Sequence, residues 1–212
     1  MNTKPSEEIL LNIAHIWSGS GALGPGLRSI VWVQGCSHHC PGCISPEWIP
    51  QVDAWWVRPQ ELAPLLLKNP NVTGLTFSGG EPMDQAAGLS ALVQLCRQIR
   101  DVNVICFSGY TYEQLLSHPE DSVVHALLAE IDVLIDGPYI EALNDDLGLR
   151  GSSNQRVIHL SDKLKGFDLD HAPRHIELFI KQDSTMMIGV PPREVLSALE
   201  HTFDGHNRRD GK

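Results

Sequence analysis

Apolar positions along this chain follow two different periods. Residues 9–16 (ILLNIAHI), 28–34 (RSIVWVQ), 72–78 (VTGLTFS), 103–108 (NVICFS) and 131–136 (IDVLID) are short runs rich in Val, Ile and Leu, and they predict strands. Between the later runs the period lengthens. In 84–100, Leu89, Leu92, Val93, Leu95, Cys96 and Ile99 recur at three- and four-residue steps and predict a helix. A shorter helix is predicted over PQELAPLLLK (59–68), and another from Thr111, with acidic capping chemistry from Glu113 onward. The stretch 47–58, with Trp48, Trp55, Trp56 and Pro50, reads as irregular. Gly19, Gly21, Gly24, Pro25 and Gly26 break the chain after the first strand, and Gly137-Pro138 breaks it after the fifth.

Strand alternating with helix implies βα units. The predicted class is α/β, a partial (β/α)6-type barrel of about six mainly parallel strands. Periodicity alone does not separate it from an open doubly wound sheet. After residue 150 the pattern is less regular: QRVIHL, then HIELFI, then a short helix near 192–202. The end, DGHNRRDGK, is polar and reads as frayed. The whole chain, 1–212, reads as a single domain.

Of 212 residues, 42% are apolar and 20% charged, as in ordinary globular proteins. No run is apolar for long enough to cross a bilayer, and MNTKPSEEIL lacks the order of a secretory signal, so a cytoplasmic protein without a membrane partner is expected. The net charge of −10 argues against general nucleic-acid binding, which needs a basic surface.

Five cysteines change the picture. Cys36, Cys40 and Cys43 stand in a C-x3-C-x2-C spacing, while Cys96 and Cys106 sit in apolar segments. Clustered thiols in a reducing compartment point to metal or redox chemistry. Three thiolates on one loop can each bind a different iron of a cubane, leaving one iron open. A zinc site closed by His38 or His39 competes with that reading, as does a ferredoxin with Cys96 or Cys106 as fourth ligand.

Downstream, three strands end in small or polar residues: Ser78-Gly79-Gly80-Glu81-Pro82, Ser108-Gly109-Tyr110-Thr111 and Asp136-Gly137-Pro138-Tyr139. In βα folds, ligands bind at the carboxyl ends of strands, and glycines admit them close to the backbone. Each segment alone reads as a turn; together they read as a site.

With the cysteine spacing, these segments resemble the radical S-adenosylmethionine superfamily. Gln34-Gly35-Cys36, Cys40-Pro41-Gly42-Cys43 and Arg150-Gly151-Ser152-Ser153-Asn154-Gln155-Arg156 resemble its anaerobic ribonucleotide reductase activating branch, a group of glycyl radical enzyme activases. The resemblance covers roughly residues 26–158. It implies an oxidoreductase whose [4Fe–4S] cluster, on a loop at the C-terminal mouth of the barrel, is held by Cys36, Cys40 and Cys43. S-adenosyl-L-methionine chelates the open iron, with Gly42 and Ile44 beside the adenine. Ser78, Gly79, Gly80 and Glu81 lie at the methionine end, with Glu81 and the glycines meeting its ammonium. Ser108 and Asp136 lie at its carboxylate or ribose. It further implies an external one-electron donor such as flavodoxin or ferredoxin, and a glycyl radical enzyme as protein substrate.

Several features fall outside the resemblance. Trp48, Trp55 and Trp56 form either a partner surface or packing beneath the cysteine loop. Met186 and Met187 read as core, His15 as a satisfied core histidine, and His38-His39 as shielding the cluster or solvated. The extension 159–212, with IELFIKQDSTMMIGVPP, reads as further barrel or as a substrate-facing cover.

Overall fold

One sheet organises the chain, and its two faces are covered by different kinds of structure. The computed structural model describes residues 9–180 and 185–198. The sheet has seven strands: β1 (Leu11–Ser20), β2 (Leu27–Val33), β3 (Trp55–Val57), β4 (Val72–Gly79), β5 (Asn103–Phe107), β6 (Val133–Asp136) and β7 (Arg156–His159). Their order is β3-β1-β2-β4-β5-β6-β7. The central four, β2, β4, β5 and β6, are parallel, and β1, β3 and β7 are antiparallel to their neighbours. The class is therefore mixed α/β with a mainly parallel central sheet. Among the described residues, β3 and β7 are its edges.

Four helices, α1 (Pro59–Leu66), α2 (Ala86–Ile99), α3 (Tyr112–Leu116) and α4 (Val123–Leu128), connect the strands. Alternation along the strands sends Val31, Val33, Leu75, Phe77, Val104, Cys106 and Leu134 to one face. There they meet Leu62, Leu66, Leu89, Leu92, Val93, Cys96 and Leu127 in the largest core. The opposite face carries Ile30 and Trp32 in one cluster and Ile105, Val133 and Ile135 in another. No helix from α1 to α4 contributes to those two clusters. They are covered by Ala22 and Leu23 before β2, by Leu164 and Leu169, and by Ile188 and Val190. The last two flank the end of a two-stranded antiparallel hairpin, β8 (Ile176–Ile180) and β9 (Thr185–Gly189).

Several expectations need correction. The stretch 47–58 holds a 3-10 turn, Pro46–Trp48, and the edge strand β3. The helix read over 84–100 starts at Ala86, after a separate 3-10 turn, Pro82–Gln85. Gln114, not Glu113, closes the capping box of α3, accepting from Thr111 N at 2.8 Å; Glu113 instead receives Arg156. The sequence pattern missed α4. The extension adds no strand to the main sheet, because β8 and β9 pair with each other. A helical segment covers 193–198, while the polar end 204–212 and the last residues of the expected helix lie outside the described residues. His15 is exposed, 5.9 Å from the Trp32 ring, rather than in the core. No helix among the described residues is long and apolar enough to cross a membrane.

A charged side chain sits inside this fold. Arg28 is fully buried on the face away from the helices, and burial pulls its pKa down to about 9. Only neutral acceptors receive its hydrogen bonds. They are Thr76 Oγ1 and Asn103 Oδ1, each at 2.6 Å, Pro25 O at 3.1 Å, and Leu75 O. It thereby ties the breaker-rich connection before β2 to β4 and β5. Arg28→Leu should lower stability by roughly 2–4 kcal/mol, because buried acceptors lose their donor. Urea unfolding checks this, and an unchanged midpoint would show that the network contributes nothing.

Candidate active site

The cysteine motif leaves the C-terminal end of β2 as a closed loop. Gly35 N donates to Trp48 O at 2.9 Å and Cys36 N to Ile49 O at 3.0 Å, so its entry and exit run side by side. Loops with joined ends of this size pack on their own side chains. Inside it, His38 N donates to Cys36 Sγ at 3.4 Å and Cys43 N to Cys40 O at 3.2 Å. All three cysteines are free and half-buried. Burial pushes the Cys36 and Cys43 thiols up, so metal loading must release protons. Trp48 packs beneath the loop against Trp32, ring centroids 5.5 Å apart, whereas Trp55 and Trp56 are exposed on β3.

The end of β4 lies across the start of this loop. Gly80 N donates to Val33 O and Glu81 N to Gly35 O, both at 2.8 Å. A Cβ on Gly80 would stand 1.9 Å from Gly35 O, and Gly79 turns here at φ +100°. Only glycine permits that approach.

Glu81 then joins this crossing to β5. Its side chain is 1% exposed. Oε1 accepts from Met83 N and Ser108 Oγ, each at 2.9 Å, and Oε2 from Gly109 N at 2.7 Å. Burial outweighs these donors and raises its pKa to about 7. His38 Nε2 stands 3.6 Å from Oε2, buried without a hydrogen-bond partner, and burial lowers its pKa. Its ring meets Tyr110 edge-on at 4.3 Å.

The remaining strand ends are fixed in the same manner. Asp136, fully buried, accepts from Tyr112 N at 2.7 Å and from Arg156 Nε at 3.0 Å. The segment after it is stapled by Gln155, whose Oε1 accepts from Gly151 N at 2.8 Å while Nε2 donates to Gly137 O at 2.8 Å. Asn154 Nδ2 donates to Pro138 O at 2.8 Å.

A cavity of about 300 Å³ opens along this edge. Its walls are Trp32 and Phe107 on the sheet, Cys43, Ile44, Ser45, Glu47 and Trp48 on the cysteine loop, and Ser78 and Gly79 at the end of β4. Tyr139, Gly151 and Gln155 follow β6, and Met187, Gly189 and Val190 belong to the C-terminal segment. The structure thus brings Cys43, Ile44, Ser78 and Gly79 into one space. Glu81, Ser108 and Asp136 do not line it; their oxygens are engaged within the protein. Gly42 lies outside it, beside Glu141. Sequence reasoning missed Phe107 and took Met187 for core, because both look like ordinary apolar strand residues.

Cys96 and Cys106 are fully buried in the core on the helix side of the sheet. Among the described residues, no three His, Cys, Asp or Glu side chains converge where one metal ion would sit. A cubane does not require convergence, since each cysteine holds a different iron.

Three free thiols on one loop at the end of β2 are the donor set that an iron–sulfur cluster requires. Residues 22–158 match the model of the 4Fe-4S single cluster domain, and the chain belongs to that family. It is 37% identical over 147 residues to the anaerobic ribonucleoside-triphosphate reductase-activating protein of Vibrio cholerae serotype O1, covering 64% of this chain and 89% of that protein. The protein of the same description from Escherichia coli K12 is 30% identical over 148 residues, 65% of this chain and 91% of its own length. That of Enterobacteria phage T4 is 29% identical over 153 residues, covering 69% and 93%.

Two predictions test this site. Gly80→Ala should lower stability by at least about 2 kcal/mol and reduce iron uptake, since backbone must move to admit its Cβ. Retention of wild-type iron content and melting temperature would contradict the crossing. For Glu81, the native carboxyl binds its proton up to about pH 7, against 4.5 for the free group. Its stability contribution is therefore full below the lower value and is lost as pH rises through the upper one. Glu81→Gln should flatten the pH dependence of unfolding of the cluster-free protein over that window, by about 2–3 kcal/mol. Parallel pH profiles would refute it.

Proposed function

We propose that this protein is a radical S-adenosylmethionine enzyme that activates a glycyl radical enzyme such as an anaerobic ribonucleotide reductase. One observation carries the reading: the third cysteine with its neighbour Ile44, and Ser78-Gly79 from the end of β4, face the same cavity. Cys36, Cys40 and Cys43 would hold a [4Fe–4S] cluster with one iron left open for S-adenosylmethionine. When bound, this pair would supply, by one-electron cleavage of the S–C5′ bond with an electron from an external donor such as flavodoxin or ferredoxin, methionine and a 5′-deoxyadenosyl radical able to take a hydrogen from a glycine Cα.

The chain's own residues orient the cofactor and exclude water. Backbone at Ile44 flanks the adenine, and backbone at Gly79 and Gly80 receives the ammonium. Glu81, Ser108 and Asp136 serve the site by fixing the strand ends that carry these groups. The sheet acts as a partial barrel with the cysteine loop at its mouth, in a cytoplasmic, oxygen-poor setting. What it requires is placement of a reactive carbon beside a target C–H, so no acid–base pair is needed.

The test is anaerobic purification, cluster reconstitution to about four irons per chain, reduction, and chromatography for 5′-deoxyadenosine. Cys40→Ala is run beside the wild type. Product from the wild type alone is expected, with a glycyl radical signal when the reductase partner is added. Zinc in place of iron, or a loaded cluster that yields no product, would overturn the reading.

A further inference from the structure

The chain beyond the family match contributes a wall to the site. Residues after 158 lie outside that match, yet Met187, Gly189 and Val190 line the same cavity as Cys43 and Gly79. The segment is firmly seated. Glu177 Oε1 accepts from Gly21 N at 2.9 Å, and Phe179 packs on Trp17 with ring centroids 4.1 Å apart. Arg174, its side chain 1% exposed, donates to Arg150 O at 2.8 Å and to Pro191 O at 3.2 Å. Through Arg174 the segment is tied to Arg150 and to Gly151, which is part of the cavity lining.

Alternation along β9 then decides where each side chain goes. Met186 and fully buried Ile188 pack with Ala22, Leu23, Ile30 and Trp32. Met187, between them, shares its face with Leu178 and is itself part of the cavity lining. At about 300 Å³ this cavity is at the small end of ligand pockets, roughly 300–1,000 Å³, so each wall side chain touches an occupant. A flexible, polarizable thioether can pack on either a ring or an aliphatic chain.

We propose that this segment is the outer wall of the S-adenosylmethionine cavity and that Met187 is a positioning residue packing against the bound cofactor; this rests on the function proposed above. The wall is an addition of this chain to the family core. It covers the sheet face that the helices leave bare, and in doing so completes the enclosure that radical chemistry needs.

The experiment measures S-adenosylmethionine binding to the reconstituted protein by equilibrium dialysis, with the cofactor-induced change in the electron paramagnetic resonance spectrum of the reduced cluster. Met187→Ala should weaken binding about tenfold and diminish the spectral change, with iron content and melting temperature unchanged. Met187→Leu should restore most of the affinity. Leu178→Ala removes the exposed cross-strand partner of Met187 and should leave affinity at the wild-type value. Wild-type affinity in Met187→Ala, or an equal loss in Leu178→Ala, would overturn the wall alone. No binding by the wild type would overturn the functional reading and this inference with it.

Discussion

Everything at the mouth of this sheet depends on one close crossing of two backbones. The chain leaving β4 passes over the chain leaving β2, near enough that Gly80 cannot carry a side chain. Two amide bonds, Gly80 N to Val33 O and Glu81 N to Gly35 O, hold the crossing. Because Gly35 and Cys36 in turn bond to Trp48 and Ile49, the crossing also fixes both ends of the cysteine loop. Backbone pairing thus fixes where the cysteine loop leaves and rejoins the fold.

From the crossing, a chain of polar contacts runs strand by strand. Glu81 reaches Ser108 and Gly109, Ser108 N reaches Ile135 O, and Gly137 N reaches Tyr110 O. Asp136 and Arg156 end it at β7. At the opposite end of the sheet Arg28 does similar work with neutral acceptors. Both ends are therefore tied by buried polar groups, which are costly to leave unpaired and so favour one arrangement over near alternatives. The apolar layers between them supply the bulk of the stabilisation, and the polar ties set the register.

Much of this was legible in the sequence for a physical reason: runs of Val, Ile and Leu bounded by glycine and proline leave little choice but buried strands, and the C-x3-C-x2-C spacing narrows the thiols to metal or redox chemistry. What was not legible depended on which partner a residue finds across the fold. Glu81 and Asp136 looked like ligand-facing carboxylates because they end strands, and only the structure shows the donors that occupy them. β3 was hidden because three residues, Trp55–Val57, give no period. The antiparallel direction of β1 was hidden because hydrophobic alternation carries no sign. Met187 looked like core because its neighbours Met186 and Ile188 are core, and one step along a strand reverses the face.

The placement of the carboxylates bears on the kind of chemistry the site can perform. A hydrolase would spend such groups on the substrate, with pKa values tuned by exposure to it. Here Glu81 and Asp136 turn their oxygens inward, to amides, a hydroxyl and a guanidinium, and the cavity wall keeps one carboxylate, Glu47, among thiol, thioether, hydroxyl, amide, aromatic and backbone groups. Apart from Glu47 on the cysteine loop, a site so lined holds a ligand in place but offers little to take or give a proton. That is the environment in which a carbon-centred radical survives long enough to reach its target. The acidic residues give the site its shape, and the reactivity is left to what the cysteines bind.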